Sequence, residues 1–359
     1  MVVLGSTGSI GTNSLEIARK FNIEVEALAC AENVKKLNAQ IAEFHPKFVY
    51  IKDEKLKSKV AHNKIFSGEN GICEMLNRCE SKTVINALVG FAGLIPSLKI
   101  QNSGKILCLS NKESLVVGGK FLDTSKIRAI DSEHFGLKFL LENSAKPAKM
   151  IITASGGAFY KTPIKDLSSK KAADALKHPN WNMGAKITID SATMANKLFE
   201  MLEAFWLYGC KNLDALIEPS SSVHALIEFI DGSTAAHLSR TDMKLAIAHA
   251  ILPNLKSEIL KPVDLLSLNL KFEKIDIKKY PIFELKDEVL SNPDLGVIIN
   301  AANEIAVFAF LQGKCGFLDI SSTIFKAVEK FNDLTPENAE DLIKIDKIVR
   351  NFARSELRL

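Results

Sequence analysis

The sequence lacks most features that would place its function outside ordinary soluble chemistry. Its six cysteines include no C-x-x-C pair, and no paired histidines complete a zinc pattern, so a structural zinc module is excluded and reduced thiols are expected. No block of like charge occurs: 46 Lys and Arg are interspersed with 42 Asp and Glu, for a net charge of +4. A nucleic-acid partner is therefore not implied. The opening "MVVLGSTG" carries no basic segment and no cleavage site, so export is not expected and a cytoplasmic location is. The most apolar stretch, 296–311, is interrupted by Asn300, Asn303 and Glu304, each costly in a bilayer, and it reads as a buried helix with no membrane role. No internal repeat or low-complexity tract is present.

What is present is a globular composition. Hydrophobic residues make up 47% and charged residues 25% of 359 residues, enough for two or three domains with a large interior. Residues 2–110 alternate short apolar runs ("MVVLG", "EVEALAC", "KFVYIK", "KTVINALVG", "KILCLS") with amphipathic segments, the pattern of βαβ units in a doubly wound parallel sheet. From about residue 128, the runs "IRAID", "MIITAS", "AKITID" and "STAAHLS" read as strands of a second α/β region. From about residue 282, apolar residues recur at three- and four-residue spacing and predict helices. The expected division is 1–127, 128–254, a connector 255–281, and a helical 282–359.

"VVLGSTGSIGTNSLEIARK" sets Gly5, Gly8 and Gly11 between a strand and a helix. Glycines there allow backbone to approach a pyrophosphate, and the helix N-terminus offers N–H groups and a positive dipole end, so a dinucleotide site is expected over a plain glycine turn. The spacing is G-x-x-G-x-x-G, which by itself is only moderately specific. After the second strand, "ACAENVKK" leaves cofactor choice open. Glu32 suits the ribose hydroxyl of NAD, Lys35 and Lys36 suit the 2'-phosphate of NADP, and Glu32 could equally be a first-turn helix residue.

"AIDSEHFG" places Asp131 and Glu133 at i and i+2, one face if the strand continues. Two convergent carboxylates suit Mg2+ or Mn2+; a solvated acidic turn is the other reading. In "DSATMANKLFEMLEAFW", Asn196, Glu200 and Glu203 share a helix face with Lys197 beside them, either as a solvated strip or as a polar strip pointing into a site. "ITASGGAF" offers Ser155, Gly156 and Gly157 as a phosphate nest, against an ordinary turn. "KHPNWNMGAK" offers His178, Pro179, Trp181 and Gly184 as a loop able to close over substrate.

Taken in order, "LGSTGSIG", "SNKESLV", "DSEH", "ASGGAF", "HPNWNMG", "DSATMANKLFE" and "NAANE" closely resemble 1-deoxy-D-xylulose 5-phosphate reductoisomerases of the methylerythritol phosphate isoprenoid pathway, over nearly the whole chain. The resemblance implies a homodimeric enzyme with an N-terminal Rossmann-like NADPH domain, a central α/β catalytic domain and a C-terminal helical domain. It implies rearrangement of the phosphorylated sugar by retro-aldol and aldol steps, then reduction by NADPH to 2-C-methyl-D-erythritol 4-phosphate. Thr7, Gly8, Ser9, Ile10, Asn111, Glu113 and Gly184 would contact NADPH, with Gly5, Ala31, Glu32 and Asn33 lining its site. Asp131, Glu133 and Glu200 would hold Mg2+ or Mn2+ and, with Lys112, form the catalytic group. Lys112, Ser132, Glu133 and Glu200 would border the reacting end of the substrate. Ser155, His178, Ser191, Asn196 and Lys197 would fix its phosphate, and Trp181 would cover it. On this pattern His134 supports the carboxylates rather than acting in catalysis, and a turn begins at Ser132.

Two departures stand out. Ala31-Glu32-Asn33 replaces the Gly-Lys-Asn common in the family, removing a positive charge near the adenosine phosphate. Leu198 replaces a small residue, while Lys197 and Glu200 keep their spacing. Two other readings compete: an NADP-dependent dehydrogenase without rearrangement, which would need no carboxylate trio, and a nucleotide-sensing protein without catalysis, which would need neither that trio nor a phosphate nest.

Overall fold

The structure is a computed structural model describing residues 1–142 and 147–359. Up to residue 129 strands and helices follow one another: β1 (Val2–Leu4), α1 (Ser9–Lys20), β2 (Ala27–Cys30), α2 (Val34–Phe44), β3 (Phe48–Ile51), β4 (Ile65–Ser67), α3 (Gly71–Arg78), β5 (Thr83–Asn86), α4 (Leu94–Asn102), β6 (Ile106–Leu109), α5 (Lys112–Gly118) and β7 (Ile127–Ala129). β1, β2, β3, β5 and β6 lie where the apolar runs predict strands, and β4 where they predict none. The remainder runs α6 (Ser132–Glu142), β8 (Pro147–Ala154), α7 (Ala172–Ala175), α8 (Ala185–Thr193), α9 (Ala195–Tyr208), β9 (Leu213–Ile217), β10 (Val223–Phe229), β11 (Thr234–Leu238), α10 (Lys244–Ile251), β12 (Glu273–Lys274), α11 (Lys286–Ser291), α12 (Leu295–Leu311), α13 (Phe317–Phe331) and α14 (Ala339–Glu356).

Two compact units result: Met1–Ser114 with Leu122–Ser132 and Asp242–Leu260, and Leu115–Phe121 with Glu133–Thr241 and Lys261–Leu359. In the first, seven strands lie in the order β4-β3-β2-β1-β5-β6-β7, every pair parallel. Strand order reverses between β1 and β5, and in such sheets ligands bind at the carboxyl ends of the strands flanking the reversal. Val2, Val3, Leu4, Ala27, Leu28 and Ala29 have no solvent exposure, as expected of strands covered on both faces. α10 packs its Ile247 and Ala248 into the same core as Leu15 and Ile17 of α1.

In the second unit a five-stranded sheet has the order β11-β10-β8-β9-β12. β8 and β9 are parallel, and the other pairs are antiparallel. Its core joins Met150 and Ile152 of β8 with Leu137 of α6 and Met201 of α9. Each such buried aliphatic side chain contributes about 1.5–3 kcal/mol of transfer free energy. The C-terminal part is helical, with α12 buried along nearly its whole length.

Three expectations change. "AKITID" is the helix α8, not a strand: Gly184 caps its start, Thr188 Oγ1 donates to the Gly184 carbonyl at 2.8 Å, and Lys186 pairs with Asp190 one turn on at 2.9 Å. Those contacts outweigh the β preference of Ile187, Thr188 and Ile189, because propensity is a weak prior beside packing. "IRAID" supplies β7, which extends the first sheet rather than the second. The connector also contributes a strand, since β12 pairs with β9.

Candidate active site

The loop after β1 is built by close backbone approach. Gly5 sits at φ +80°, and an added Cβ there would meet the Ala87 carbonyl oxygen at 2.4 Å; one on Gly11 would meet the Gly5 oxygen at 2.3 Å. These positions need glycine for two reasons, left-handed backbone at Gly5 and helix-on-loop packing at Gly11. Gly8 starts α1 with extended backbone, no side chain caps that helix, and its first turn holds no acidic residue. The helix therefore turns unsatisfied N–H groups and its positive dipole end toward the loop, where an anion is stabilised. Gly5 and Ser6 N–H both donate to the Ala29 carbonyl at 2.9 Å. Gln40 on α2 holds the loop from the side: Ser6 Oγ donates to Gln40 Oε1 at 2.8 Å, and Gln40 Nε2 donates back to the Ser6 carbonyl at 2.9 Å. Nothing in the spacing of "NVKKLNAQIAEF" marks Gln40 for this task.

Thr7 Oγ1 lies 3.2 Å from Cys30 Sγ, and Ser9 and Ile10 open α1. Glu32 is exposed and precedes Asn33, whose side chain accepts the Lys36 N–H at 3.1 Å and caps α2. Glu32 therefore lies ahead of that helix, outside its first turn. Ala31 lies beside it, also exposed. Asn111 is a buried knot: its Nδ2 reaches the carbonyls of Leu88 and Gly90 at 2.9 Å and Glu113 Oε2 at 2.8 Å. Gly184 has φ −62° and nothing within 4 Å of an added Cβ, so its backbone does not demand glycine.

Asp131 follows β7 and leads directly into α6, which begins at Ser132. The turn expected at Ser132 is thus a helix start. Asp131 and Glu133 are not alternate residues of a strand end; Glu133 lies in the first helical turn. On α9, Asn196 and Lys197 occupy the first turn and Glu200 follows one turn later. Asp131, Glu133 and Glu200 each offer a carboxylate oxygen, all within 4.8 Å of one another. Lys112 contacts Asp131. Lys197, only 3% exposed, reaches Glu133 Oε1 at 3.1 Å and contacts Glu200, itself 1% exposed. Asn196 Nδ2 donates to Glu200 Oε1 at 2.5 Å. In the polar strip of α9, Lys197, Glu200 and Glu203 are buried and Asn196 is half-buried, so the strip is not a solvated face. Three carboxylates so close repel one another unless cations lie among them. Their oxygen-only donor set fits a hard divalent ion that keeps positions for water or substrate.

His134 is fully buried, and its Nε2 lies 3.1 Å from Glu203 Oε2. Tyr208 OH donates to the His134 carbonyl at 2.7 Å. These contacts tie α6 to α9 through Glu203, a residue outside the carboxylate trio.

The turn after β8 holds Gly156 and Gly157 at φ +86° and +66°, and a Cβ on Gly157 would meet the Ser191 carbonyl oxygen at 2.6 Å. "ASGG" is thereby pressed against the end of α8, which carries Ser191. Ser155 Oγ accepts the Gly157 N–H at 3.0 Å and lies 3.0 Å from His178 Nε2. His178 Nδ1 accepts the N–H groups of Asn180 at 3.2 Å and Trp181 at 2.9 Å. A ring nitrogen that accepts carries no proton, so the proton sits on Nε2 and is donated to Ser155. Burial lowers the His178 pKa to about 4, consistent with that neutral ring.

The first unit's doubly wound sheet with a Gly-rich loop, and the carboxylates flanked by buried lysines, define an enzyme of the nucleotide-dependent oxidoreductase class. Residues 1–119 match the sequence profile of 1-deoxy-D-xylulose 5-phosphate reductoisomerase, 127–208 that enzyme's C-terminal domain profile, and 238–352 a further C-terminal domain profile of the same enzyme. The chain belongs to the 1-deoxy-D-xylulose 5-phosphate reductoisomerase family. It is 62% identical to the reductoisomerase of Campylobacter curvus, with 99% of each chain covered, and 51% identical to that of Nautilia profundicola, again with 99% of each covered. Among solved structures, a reductoisomerase in complex with NADPH, fosmidomycin and magnesium superposes with a TM-score of 0.91 at 34% identity, covering 100% of this chain and 98% of the other. The Zymomonas mobilis reductoisomerase in complex with NADPH gives 0.88 at 32% identity, covering 99% and 98%.

Proposed function

We propose that the chain converts 1-deoxy-D-xylulose 5-phosphate to 2-C-methyl-D-erythritol 4-phosphate, using NADPH and Mg2+ or Mn2+, as a cytoplasmic homodimer in isoprenoid precursor synthesis. The observation that carries this reading is the carboxylate trio Asp131, Glu133 and Glu200, which a dehydrogenase without rearrangement would not need. In this reading 1–127 binds the nucleotide, 128–254 holds metal and substrate, 255–281 connects, and 282–359 forms the helical part.

Asp131, Glu133 and Glu200 would hold the metal, and the loop with Gly5, Thr7, Gly8, Ser9 and Ile10 would cradle the pyrophosphate, joined by Ala31, Glu32, Asn33, Asn111, Glu113 and Gly184. When bound, the metal supplies Lewis-acid polarisation of a carbonyl and an adjacent hydroxyl, and the nucleotide supplies the hydride. Lys112, held on Asp131, donates a hydrogen bond where negative charge develops on a substrate oxygen. Ser132 and Glu133 border that reacting end. Ser155, Ser191, Asn196 and Lys197 bind the phosphate, and neutral His178 leaves the Ser155 hydroxyl proton free to be donated to it. Phosphate binding then supplies energy for orienting the reacting end, with Trp181 excluding water above it.

The test is turnover of 1-deoxy-D-xylulose 5-phosphate, followed by NADPH oxidation with and without a chelator, with NADH in parallel. Metal-dependent oxidation with a product whose methyl proton signal is a singlet, the mark of the branched skeleton, supports the reading; NADPH oxidation that ignores the chelator refutes the metal assignment.

A further inference from the structure

The loop 177–184 has no repeating backbone hydrogen bonds of its own, so side-chain contacts set its conformation. Asn180 spends both amide protons on one neighbouring turn: its Nδ2 donates to the Pro219 carbonyl at 2.7 Å and to Ser221 Oγ at 2.8 Å. That turn is organised by a single carboxylate. Glu218 is fully buried, and it gathers four consecutive N–H groups. Ser220 N donates to Glu218 Oε1 at 2.9 Å, Ser222 and Val223 N donate to Oε2 at 2.8 and 3.2 Å, and Ser221 N donates to the Glu218 carbonyl at 3.1 Å. Ser221 is thereby held at φ +55°, a left-handed conformation that is strained for a non-glycine residue and persists only where its surroundings impose it. The turn runs directly into β10, and there the His224 ring lies 6.1 Å from the Trp181 ring at 64°. Neighbouring loop residues thus dock on one short segment, Asn180 through hydrogen bonds and Trp181 through its ring.

We propose that Asn180 and Glu218 are positioning residues: Glu218 builds a rigid turn, Asn180 clips the loop to it, and together they set where Trp181 stands. The proposal rests on the reading that Trp181 covers the substrate. A buried carboxylate satisfied by backbone N–H groups, with a half-buried carbonyl and a buried hydroxyl presented to one asparagine, is a built dock rather than a surface contact.

The experiment uses Asn180→Asp, which keeps size but removes both donors, and Asn180→Ser, which keeps one, in the full chain with Trp206→Phe so that Trp181 is the sole indole. Two readouts are taken: acrylamide quenching of Trp181 without substrate, and KM, kcat and NADPH affinity. Loss of two hydrogen bonds predicts easier quenching in Asn180→Asp and a KM for the phosphorylated sugar raised about tenfold, with NADPH affinity unchanged and Asn180→Ser in between. Glu218→Gln, which cannot accept all its N–H donors, should shift quenching in the same direction. Quenching and KM equal to the parent chain's in both Asn180 variants would overturn the proposal, as would equal losses of sugar and NADPH affinity. Quenching needs no turnover, so an inactive parent chain would count against the proposed function and leave the dock to be decided by fluorescence.

Discussion

Glu200 and Glu203 lie three residues apart on α9, yet their partners assign them different work. Glu200 stands with Asp131 and Glu133 and touches Lys197, whereas Glu203 faces His134. Glu200→Gln should lower kcat/KM by more than about 100-fold, since even residues behind the ligands of a metal cost 10–100-fold, and calorimetry should show weakened Mg2+ binding. Glu203→Gln should instead lower stability by about 1–3 kcal/mol, the cost of disturbing a buried hydrogen bond, read as a shifted urea midpoint. His178 carries a pH prediction. Its folded pKa is lowered to about 4 against an ordinary value near 6.5, so between those values the unfolded chain binds the proton and the folded chain does not. Stability from the neutral ring is full above about pH 6.5 and is lost as pH falls toward 4. The melting temperature of His178→Asn should therefore fall less steeply across that window than the parent's; parallel curves would show that His178 is not buried neutral. Asp131, Glu133, Glu200 and Lys197 each read equally well as solvated groups taken singly, and it was the ordered set of motifs resembling the family that joined them; the structure brings the three carboxylates within 4.8 Å of one another. Gln40, Asn180 and Glu218 were not legible, since a polar group that serves backbone N–H or C=O groups far along the chain leaves no spacing to read.

The loop joining β1 to α1 is the element most fully determined by its sequence, and its glycines separate by task. Gly11→Ala would force a Cβ to 2.3 Å from the Gly5 oxygen, so it should cost about 1–3 kcal/mol of stability as overpacking and weaken NADPH binding. Gly8→Ala meets nothing closer than 3.4 Å and has extended backbone. It should keep the unfolding midpoint, and any effect should appear in nucleotide affinity alone. Unfolding curves and nucleotide titrations on both variants check this. β1, β2, β3, β5 and β6 were readable because a strand covered on both faces is an unbroken apolar run. α8 was misread for the same reason: "AKITID" is as apolar and β-branched as a strand. Only the Gly184 start, the Lys186–Asp190 pair and Asn303 Nδ2 donating to Asp190 at 2.8 Å make it a buried helix. Short edge strands such as β4 and β12 carry too few residues to show a period.

At the scale of the whole molecule the sequence order is not the order of the compact units. Residues 242–260 return to the first unit after the second has begun, a crossing that no local pattern announces, because α10 looks like any apolar helix until its Ile247 meets the core of α1. The parallel sheet and the helical C-terminal part were legible, since both rest on periodicity sustained over many residues. Among the described residues no helix is long and apolar enough to cross a membrane, in keeping with the polar residues that interrupt α12. The central claim, that Asp131, Glu133 and Glu200 hold a divalent ion for rearrangement of a phosphorylated sugar before its reduction, meets its most direct test in one assay. The purified chain is stripped of metal, given 1-deoxy-D-xylulose 5-phosphate and NADPH, and then titrated with Mg2+ or Mn2+ while NADPH is followed by absorbance and the product by proton NMR, in which a methyl on a branched quaternary carbon is a singlet and that of the unrearranged polyol a doublet. The result expected is no NADPH oxidation without metal, and restoration on addition with one branched polyol phosphate formed per NADPH consumed; oxidation at full rate in the stripped chain, or reduction without rearrangement, would contradict it.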